Sequence, residues 1–501
     1  MISISSVMKH AILIMAHKNF EKLCTLAKFF CKDCELFIHI DKKQTVPAEI
    51  MESLFNFNNI KLISRKYDVN WGGTSVLDCE LFLLRMAIEN SDAEYFHLIS
   101  GQDYPVRPLS YFLDYFSNNY GKEFIQFTKI PNPKWENGTF RRFQYFYPYD
   151  YASEKQQPQR WVHNEVKMQM RRGIKRPIPD DFEHLYGSSQ WFSITRHAVS
   201  ELLEYTRLSP SLYQKMWMTF APEETYVATV IINLLGVDKI VPWNCRFIRW
   251  FNENGNRPAN LGKEHFAYLL ERDYLFARKV ESPFSDDLLP LIDKYLLNDS
   301  APIKSQTGGW IYDGFRHYHY EEAFFRIVTQ LYHELNLKNA IDIGCGSGIY
   351  VKQWREIGIP FAGYDANPYT TKLSSILLPS NDEPCRNVDI TEDLSIVQPF
   401  DIVVCKDVLP YIPSPYIEKA VTNLCKMSSR FILLSWSIAE IPNTINSFTE
   451  TDMLSLFSKR DFIIEPYLTS RVQIVTKRTN CCMLIKKGAQ LLDQKLNIDK
   501  I

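Results

Sequence analysis

The sequence has no apolar run approaching the roughly 18 residues that a membrane-spanning helix requires. The longest run near its start, Ala11 to Ala16, is also too short for the core of a secretion signal. The chain is therefore expected to stay in the compartment where it is made. It lacks a charge surplus as well: 57 Lys and Arg stand against 58 Asp and Glu, a net charge of −1. Dedicated nucleic-acid binders are usually basic, so no nucleic-acid partner is expected. Cys31 and Cys34 form a Cys-x-x-Cys pair. No second pair, and no His pair at finger spacing, accompanies it, which argues against zinc. The 11 cysteines are odd in number and scattered from Cys24 to Cys482. They read as reduced thiols in a reducing cytosol. No internal repeat is visible. Apolar residues make up 46% and charged residues 23% of 501 positions, an ordinary globular composition whose length suits two to four domains.

Two α/β patterns follow one another. In the first, His10–His17, Glu35–Asp41, Asn59–Ile63 and Tyr95–Ser100 are short apolar runs of strand type. Helical patterns from about Asn19 to Phe30 and from Ser75 to Ile88 lie between them. Strands alternating with helices imply a mostly parallel sheet. Between Pro131 and Pro179 aromatic and basic residues dominate, as in Arg141-Arg142-Phe143-Gln144-Tyr145. That stretch suits an acceptor-binding insertion, a membrane-surface patch or a solvated loop. The expected organisation is a first domain over 1–285, a linker over 286–310, a second domain over 311–480 and a polar tail over 481–501.

In the second half, Ala340-Ile-Asp342-Ile-Gly344-Cys345-Gly346-Ser-Gly348 is a strand running into a glycine turn and then a helix pattern. Glycines let the backbone approach a ligand closely, and a helix N-terminus favours polar or anionic groups. Twenty-one residues after Gly344, Phe361-Ala-Gly-Tyr-Asp365 ends in an acid placed to bind two ribose hydroxyls. This segment resembles the first motif of class I S-adenosylmethionine methyltransferases over about residues 311–478. The resemblance implies a Rossmann-like fold and S-adenosylmethionine as cofactor. It places Asp389 beside the adenine and Asp407 at the end of the fourth strand, facing the methyl group. His317, His319 and Asp407 are candidate bases for methyl transfer, with a surface or packing role as the alternative for each histidine.

The first half has different signposts. His39-Ile-Asp41 stands at the end of a strand. Trp71-Gly72-Gly73 precedes a helix, and Ser100-Gly-Gln-Asp103-Tyr-Pro105 follows a strand. Further on come Gln190-Trp191-Phe192, Pro222-Glu223-Glu224 and Leu275-Phe-Ala-Arg278-Lys279. Singly, each has a plain structural explanation. In this order they resemble the core-2/I-branching β-1,6-N-acetylglucosaminyltransferase and peptide O-xylosyltransferase family, over about residues 8–280. The resemblance implies a GT-A nucleotide-sugar fold and inverting transfer from a UDP-sugar. Its base falls on Glu224, with Glu223 as the fallback. Its diphosphate-binding cation falls on Lys279, with Arg278 beside it and a second basic residue at Arg257 or Arg249. No Asp-x-Asp stands at a strand end in this half, so no metal is expected. His17, Asp41, Trp71, Gly72, Asp103 and Trp191 are expected around the nucleotide, the sugar or the acceptor.

The combined expectation is a bifunctional enzyme of surface-glycan assembly in a bacterial cytoplasm, free or peripheral to the membrane. One domain would transfer N-acetylglucosamine or xylose to a glycan or lipid-linked acceptor, and the other would methylate the product. The alternatives are a non-catalytic second domain that serves as a scaffold, or a methyltransferase with a non-glycan substrate.

Overall fold

The computed structural model describes residues 8–31, 33–133, 139–253, 255–270, 274–297, 303–304, 311–312, 320–367, 369–379, 381–395, 398–436 and 448–489. They divide into two compact units. Unit 1 is Met1–Gly262 with Tyr274–Asp286, and unit 2 is Lys263–Asp273 with Asp287–Ile501.

Unit 1 is built on strands β1 (His10–Ala16), β2 (Cys34–Ile40), β3 (Ile60–Ser64), β4 (Tyr95–Ser100), β5 (Tyr104–Pro105), β6 (Glu123–Ile130), β7 (Leu185–Thr195), β8 (Ile240–Val241), β9 (Arg246–Ile248) and β10 (Phe276–Arg278). The helices that matter for the site are α1 (Glu21–Phe29), α2 (Ala48–Phe55), α3 (Thr74–Asn90), α4 (Leu109–Asn118), α5 (Arg141–Gln144), α6 (Pro158–Arg171), α7 (Arg196–Leu208), α8 (Ser211–Met216) and α9 (Glu223–Leu235). The main sheet runs β3-β2-β1-β4-β7-β6-β8. β1 pairs in parallel with β2 and β4, and β7 turns antiparallel. β1 is buried at every position. Its residues alternate between the two cores: Ala11, Leu13 and Met15 face one, while Ile12, Ile14 and Ala16 face the other. That is why its sequence reads as an unbroken apolar run rather than an alternating one. A small second sheet, β5-β10-β9, sits beyond the ends of the parallel strands. It aligns Ala277 with Tyr104 and Arg278 with Ile248. The chain order reverses between β1 and β4, which makes the carboxyl ends of these strands the expected ligand edge.

Unit 2 contains α10 (Leu289–Tyr295), the paired strands β11 (Ile303–Lys304) and β12 (Ile311–Tyr312), α11 (Glu322–Glu334), β13 (Ala340–Ile343), α12 (Ile349–Glu356), β14 (Phe361–Asp365), α13 (Thr370–Leu377), β15 (Arg386–Asn387), β16 (Phe400–Lys406), α14 (Ser414–Met427), β17 (Ser428–Ser435), α15 (Glu450–Ser458), β18 (Phe462–Ile464), α16 (Pro466–Thr476) and β19 (Cys481–Lys486). Its sheet order is β15-β14-β13-β16-β17-β19-β18, with β19 antiparallel to both of its neighbours. This is the class I methyltransferase arrangement, a Rossmann-like sheet with a reversed strand inserted near one edge.

Two stretches differ from the sequence reading. Cys481–Lys486, taken there as the start of a polar tail, is a buried strand inside the sheet. Its run Cys-Cys-Met-Leu-Ile is apolar once both thiols are counted with the hydrophobes. Lys263–Asp273 groups with unit 2 although it lies inside the first half of the sequence. There Phe266 is fully buried and its ring meets Tyr295 of α10 at 6.2 Å.

Candidate active sites

Glu223 and Glu224 open α9, directly after Pro222. Acids in a first turn are favoured by the helix dipole, and Pro suits that boundary. The two carboxyls differ in access. Glu223 is 7% exposed, and its Oε2 has no hydrogen-bond partner among the described residues. The Glu224 side chain is 23% exposed and its Oε2 accepts from Arg142 Nη2 at 3.0 Å, the Arg142 side chain being only 2% exposed. Burial raises the Glu224 carboxyl above its ordinary value, and Arg142 opposes that rise. Burial, then the charge of Glu224, pushes Glu223 up as well.

A third acid, Glu80 of α3, is wholly buried near this pair. Burial, then the charge of Glu223, pushes it well above the ordinary carboxylate range. Three buried carboxyls this close disfavour one another's ionisation. Sequence reading missed both Glu80 and Arg142. A lone Glu within the apolar Leu-x-x-Glu-Leu-Phe-Leu-Leu face of a helix was the available signal for the first. Arg142 lay in the stretch left unassigned.

The Trp-Gly-Gly turn has a specific physical basis. Gly72 has φ +77°, and a Cβ there would lie 3.0 Å from the Tyr149 ring. A Cβ on Gly73 would lie 2.3 Å from Asp150 Oδ1. That carboxylate caps α3, accepting from the backbone N–H of Thr74 at 2.7 Å and from the Ser75 hydroxyl at 2.5 Å. The turn is also stitched to the start of α9, because Ala221 N–H donates to Gly72 O at 3.0 Å. Trp71 is 62% exposed and stands edge-on to Tyr149 and Phe220. Phe220 in turn lies under the Arg142 guanidinium, 5.6 Å away. The sequence motif and the acid pair therefore form one neighbourhood.

At the strand edge, Asp41 follows β2 and is 4% exposed. Its Oδ1 accepts from the N–H of Lys43 at 3.1 Å, and its Oδ2 lies 3.3 Å from Lys43 Nζ. His17 stands one residue past β1, exposed. Asp103 is completely buried and accepts from Ser100 N–H at 2.8 Å, from Ser100 Oγ at 2.6 Å and from Arg278 Nη1 at 2.9 Å. The Arg278 guanidinium lies 4.1 Å from the centroid of the buried Trp191 ring. Asp103 and Trp191 thus hold Arg278, rather than lining open space.

Lys279 is half-buried, and its ammonium has no hydrogen-bond or ion-pair partner among the described residues. Its backbone ties it to the loop carrying the other two arginines, since Leu261 N–H donates to Lys279 O at 2.8 Å. In that loop, Arg249 pairs with Glu253 at 2.8 Å, and Arg257 Nε donates to Trp250 O at 3.3 Å. Lys18 and Lys22, unremarked in the sequence, join this edge. Lys18 binds Glu281 at 2.7 Å, and Lys22 donates to Val280 O. Burial draws the Lys22 ammonium down to about 8. Lys18, Lys22, Arg278 and Lys279, with Glu281 among them, make an anion-attracting edge. Among the described residues no group of three His, Cys, Asp or Glu is placed to hold a metal ion.

In unit 2 the glycine turn after β13 adopts positive φ at Gly344 (+80°), Gly346 (+56°) and Gly348 (+86°). A Cβ on Gly344 would lie 2.3 Å from Val408 Cγ2, and one on Gly348 would lie 2.9 Å from Cys385 Sγ. Asp365, at the end of β14, accepts from Gly346 N–H at 2.7 Å and from Asn367 N–H at 2.7 Å. Asn367 is fully buried, and its Nδ2 has no partner among the described residues, an orphaned donor beside the loop. These residues suit S-adenosylmethionine: flexible backbone, an acid and a waiting amide.

Cys345 is buried within that turn. Asp342 is buried at 4% exposure, and burial raises its carboxyl to about 8. Asp389 turns back on its own loop, accepting from Thr391 N–H at 2.8 Å. Burial alone would raise Asp407, but Lys406 and Arg478 hold it below its ordinary value, Arg478 at 2.8 Å. His317 and His319 lie outside the described residues.

The Core-2/I-Branching enzyme family matches residues 11–269, more than half of the sequence. The chain belongs to that family. Residues 341–428 match a second family, a methyltransferase domain. A core-2/I-branching protein with a methyltransferase domain accounts for both sheets. Among curated relatives, xylosyltransferase sqv-6 of Caenorhabditis elegans is 28% identical over 233 residues, 45% of this chain and 26% of that protein. Xylosyltransferase 2 of Homo sapiens is 26% identical over 286 residues, 53% of this chain and 31% of that protein. The chain thus spans about a quarter to a third of the length of the curated relatives it matches. A solved structure of magnesium protoporphyrin IX methyltransferase from Synechocystis PCC 6803 is similar to 33% of this chain and 82% of its own, with 17% identity and a TM-score of 0.26.

Proposed function

We propose that the first domain transfers a sugar, with inversion and without a metal, from a UDP donor to a hydroxyl of a glycan or lipid-linked glycan, and that the second O-methylates a glycan. The setting is surface-glycan assembly in a bacterial cytoplasm. The xylosyltransferase relatives favour xylose over N-acetylglucosamine as the sugar. The carrying observation is the asymmetry at the start of α9. Glu224 is the acid of the pair with an open face, and its guanidinium partner opposes the rise that burial imposes on it. In this reading Glu224 takes the proton of the acceptor hydroxyl as that oxygen bonds to the anomeric carbon. The bond from that carbon to the diphosphate breaks, and its electron pair leaves on the phosphate oxygen. Lys279 meets the developing charge, with Arg278 held beside it.

In the second domain, S-adenosylmethionine would supply a methyl group already activated for transfer. The chain's own part there is positioning. The turn Gly344–Gly348 cradles the cofactor and Asp365 holds its ribose. Asp342 lies beneath the turn, and Asp389 closes the adenine side.

The test is UDP release by the full-length protein from UDP-xylose and UDP-N-acetylglucosamine in EDTA, beside Glu224→Gln. Turnover of one donor in EDTA is expected, with the variant slowed by about 10²–10⁴-fold. Release only after manganese is restored, or a fully active variant, refutes the metal-free mechanism or the base assignment respectively.

A further inference from the structure

The stretch Pro158–Arg176 carries six cations and one acid, Glu165, in a chain whose net charge is −1. Most of it is α6, whose buried side is formed by Val162 and Val166. On the opposite side Arg160, Lys167 and Arg171 are exposed and stand in one column, because they recur at helical spacing. Exposed methionines flank that column, Met168 at 39% and Met170 at 45%.

The helix ends in a Schellman turn. Gly173 has φ +70°, its N–H donates to Met170 O at 3.3 Å, and Ile174 N–H donates to Gln169 O at 3.0 Å. Ile174, 45% exposed, is the residue that closes that turn. Arg172 and Lys175 border it, both exposed. Lys167, Arg171, Arg172 and Lys175 make no ion pair among the described residues. The helix itself is fixed to the body, with Gln169 bonded in both directions to the backbone of Phe146 at 2.8 Å.

We infer that this helix end is a docking surface for an anionic phospholipid bilayer. A purely electrostatic surface for a polyanion has no use for exposed Met and Ile among its cations. A bilayer interface uses both, since long cationic side chains reach the headgroups while apolar ones enter the acyl boundary. The charges are complementary to an anionic leaflet, each Lys or Arg near such a surface contributing about fivefold to partitioning. No helix of the described residues is long and apolar enough to cross a membrane, so contact of this kind would be peripheral.

The test is co-sedimentation of the full chain with phosphatidylcholine vesicles, with and without about one third phosphatidylglycerol, at low and high salt. Binding is expected only to the anionic vesicles and is expected to fall steeply with salt. Replacing Lys167, Arg171, Arg172 and Lys175 together by Ala should weaken it by several hundredfold. Met168→Ser, Met170→Ser and Ile174→Ser together should weaken it by about tenfold or more. All seven positions are exposed, so both variants should keep the parent's melting temperature. No binding by the parent, or unchanged binding by the alanine variant, overturns the inference. So does equally tight binding to soluble dextran sulfate that the serine variant leaves intact, because the surface would then be a polyanion site.

Discussion

Arg142 offers the sharpest perturbation. Its guanidinium is almost wholly buried and lies 3.0 Å from Glu224 Oε2. Two unit charges about 4 Å apart at an effective dielectric of about 20 interact by about 4 kcal/mol. The Glu224 side chain is 23% exposed, so solvent reduces that figure to about 1.4–2.8 kcal/mol. Arg142→Met keeps the volume and removes the charge. The Glu224 carboxyl, already raised by burial, then rises further. A base works only when ionised, so the acid limb of kcat/KM should move to higher pH. Below the new limb the variant should be about 10–100-fold slower, and above it the deficit should close. The assay is UDP release across pH with the donor that the parent turns over. An equal loss at every pH, with the limb unmoved, would refute the reasoning and assign Arg142 to substrate binding instead.

Other outcomes follow from the same geometry. Lys279→Ala should lower kcat/KM by about 10²–10³-fold while Lys279→Arg restores part of it, read as donor turnover. Gly344→Ala should abolish S-adenosylmethionine binding measured by calorimetry, because the new Cβ meets Val408 and φ is +80°. Glu80 has a folded-state pKa far above its ordinary 4.5. The folded protein therefore binds more protons than the unfolded chain above that pH, and stability falls as pH rises from about 4.5. Glu80→Gln should shrink the drop in melting temperature between about pH 5 and pH 8. An undiminished drop would mean that Glu80 keeps an ordinary pKa.

The parts of the molecule most legible in the sequence are those where one residue type has few alternatives. The turn at Gly344, Gly346 and Gly348 is one, since three positive φ values in five residues leave little but glycine. The unbroken run of β1 is another, because a strand buried on both faces has no polar side to show. The motifs around Glu224 and Lys279 were visible as strings, but their connections were not. Nothing local says that Ala221 bonds to Gly72, or that Asp150 fills the space a Gly73 side chain would take. Arg278 reads as a ligand-binding cation in the sequence, whereas Asp103 and Trp191, more than eighty residues away, decide how it is held. Glu80 was hidden because a buried acid in a helix looks like an exposed one when only its neighbours are seen. The strand Cys481–Lys486 was hidden by its position after a helix near the end of the chain, where a tail is the simpler reading.

The excursion of Lys263–Asp273 into unit 2 has a practical consequence for dissecting the enzyme. The backbone passes from the first unit to the second, returns, and leaves again after Asp286. No single scissile position therefore yields two intact bodies. A fragment stopping at Gly262 forfeits β10, and with it Arg278 and Lys279. A fragment extended to Asp286 keeps them but strands Phe266, whose burial is completed by Tyr295 beyond the cut. During synthesis the same order means that β10 and Lys279 after it emerge only once a piece of the second unit has been made. The two proposed activities are better separated by point substitutions in the whole chain than by truncation.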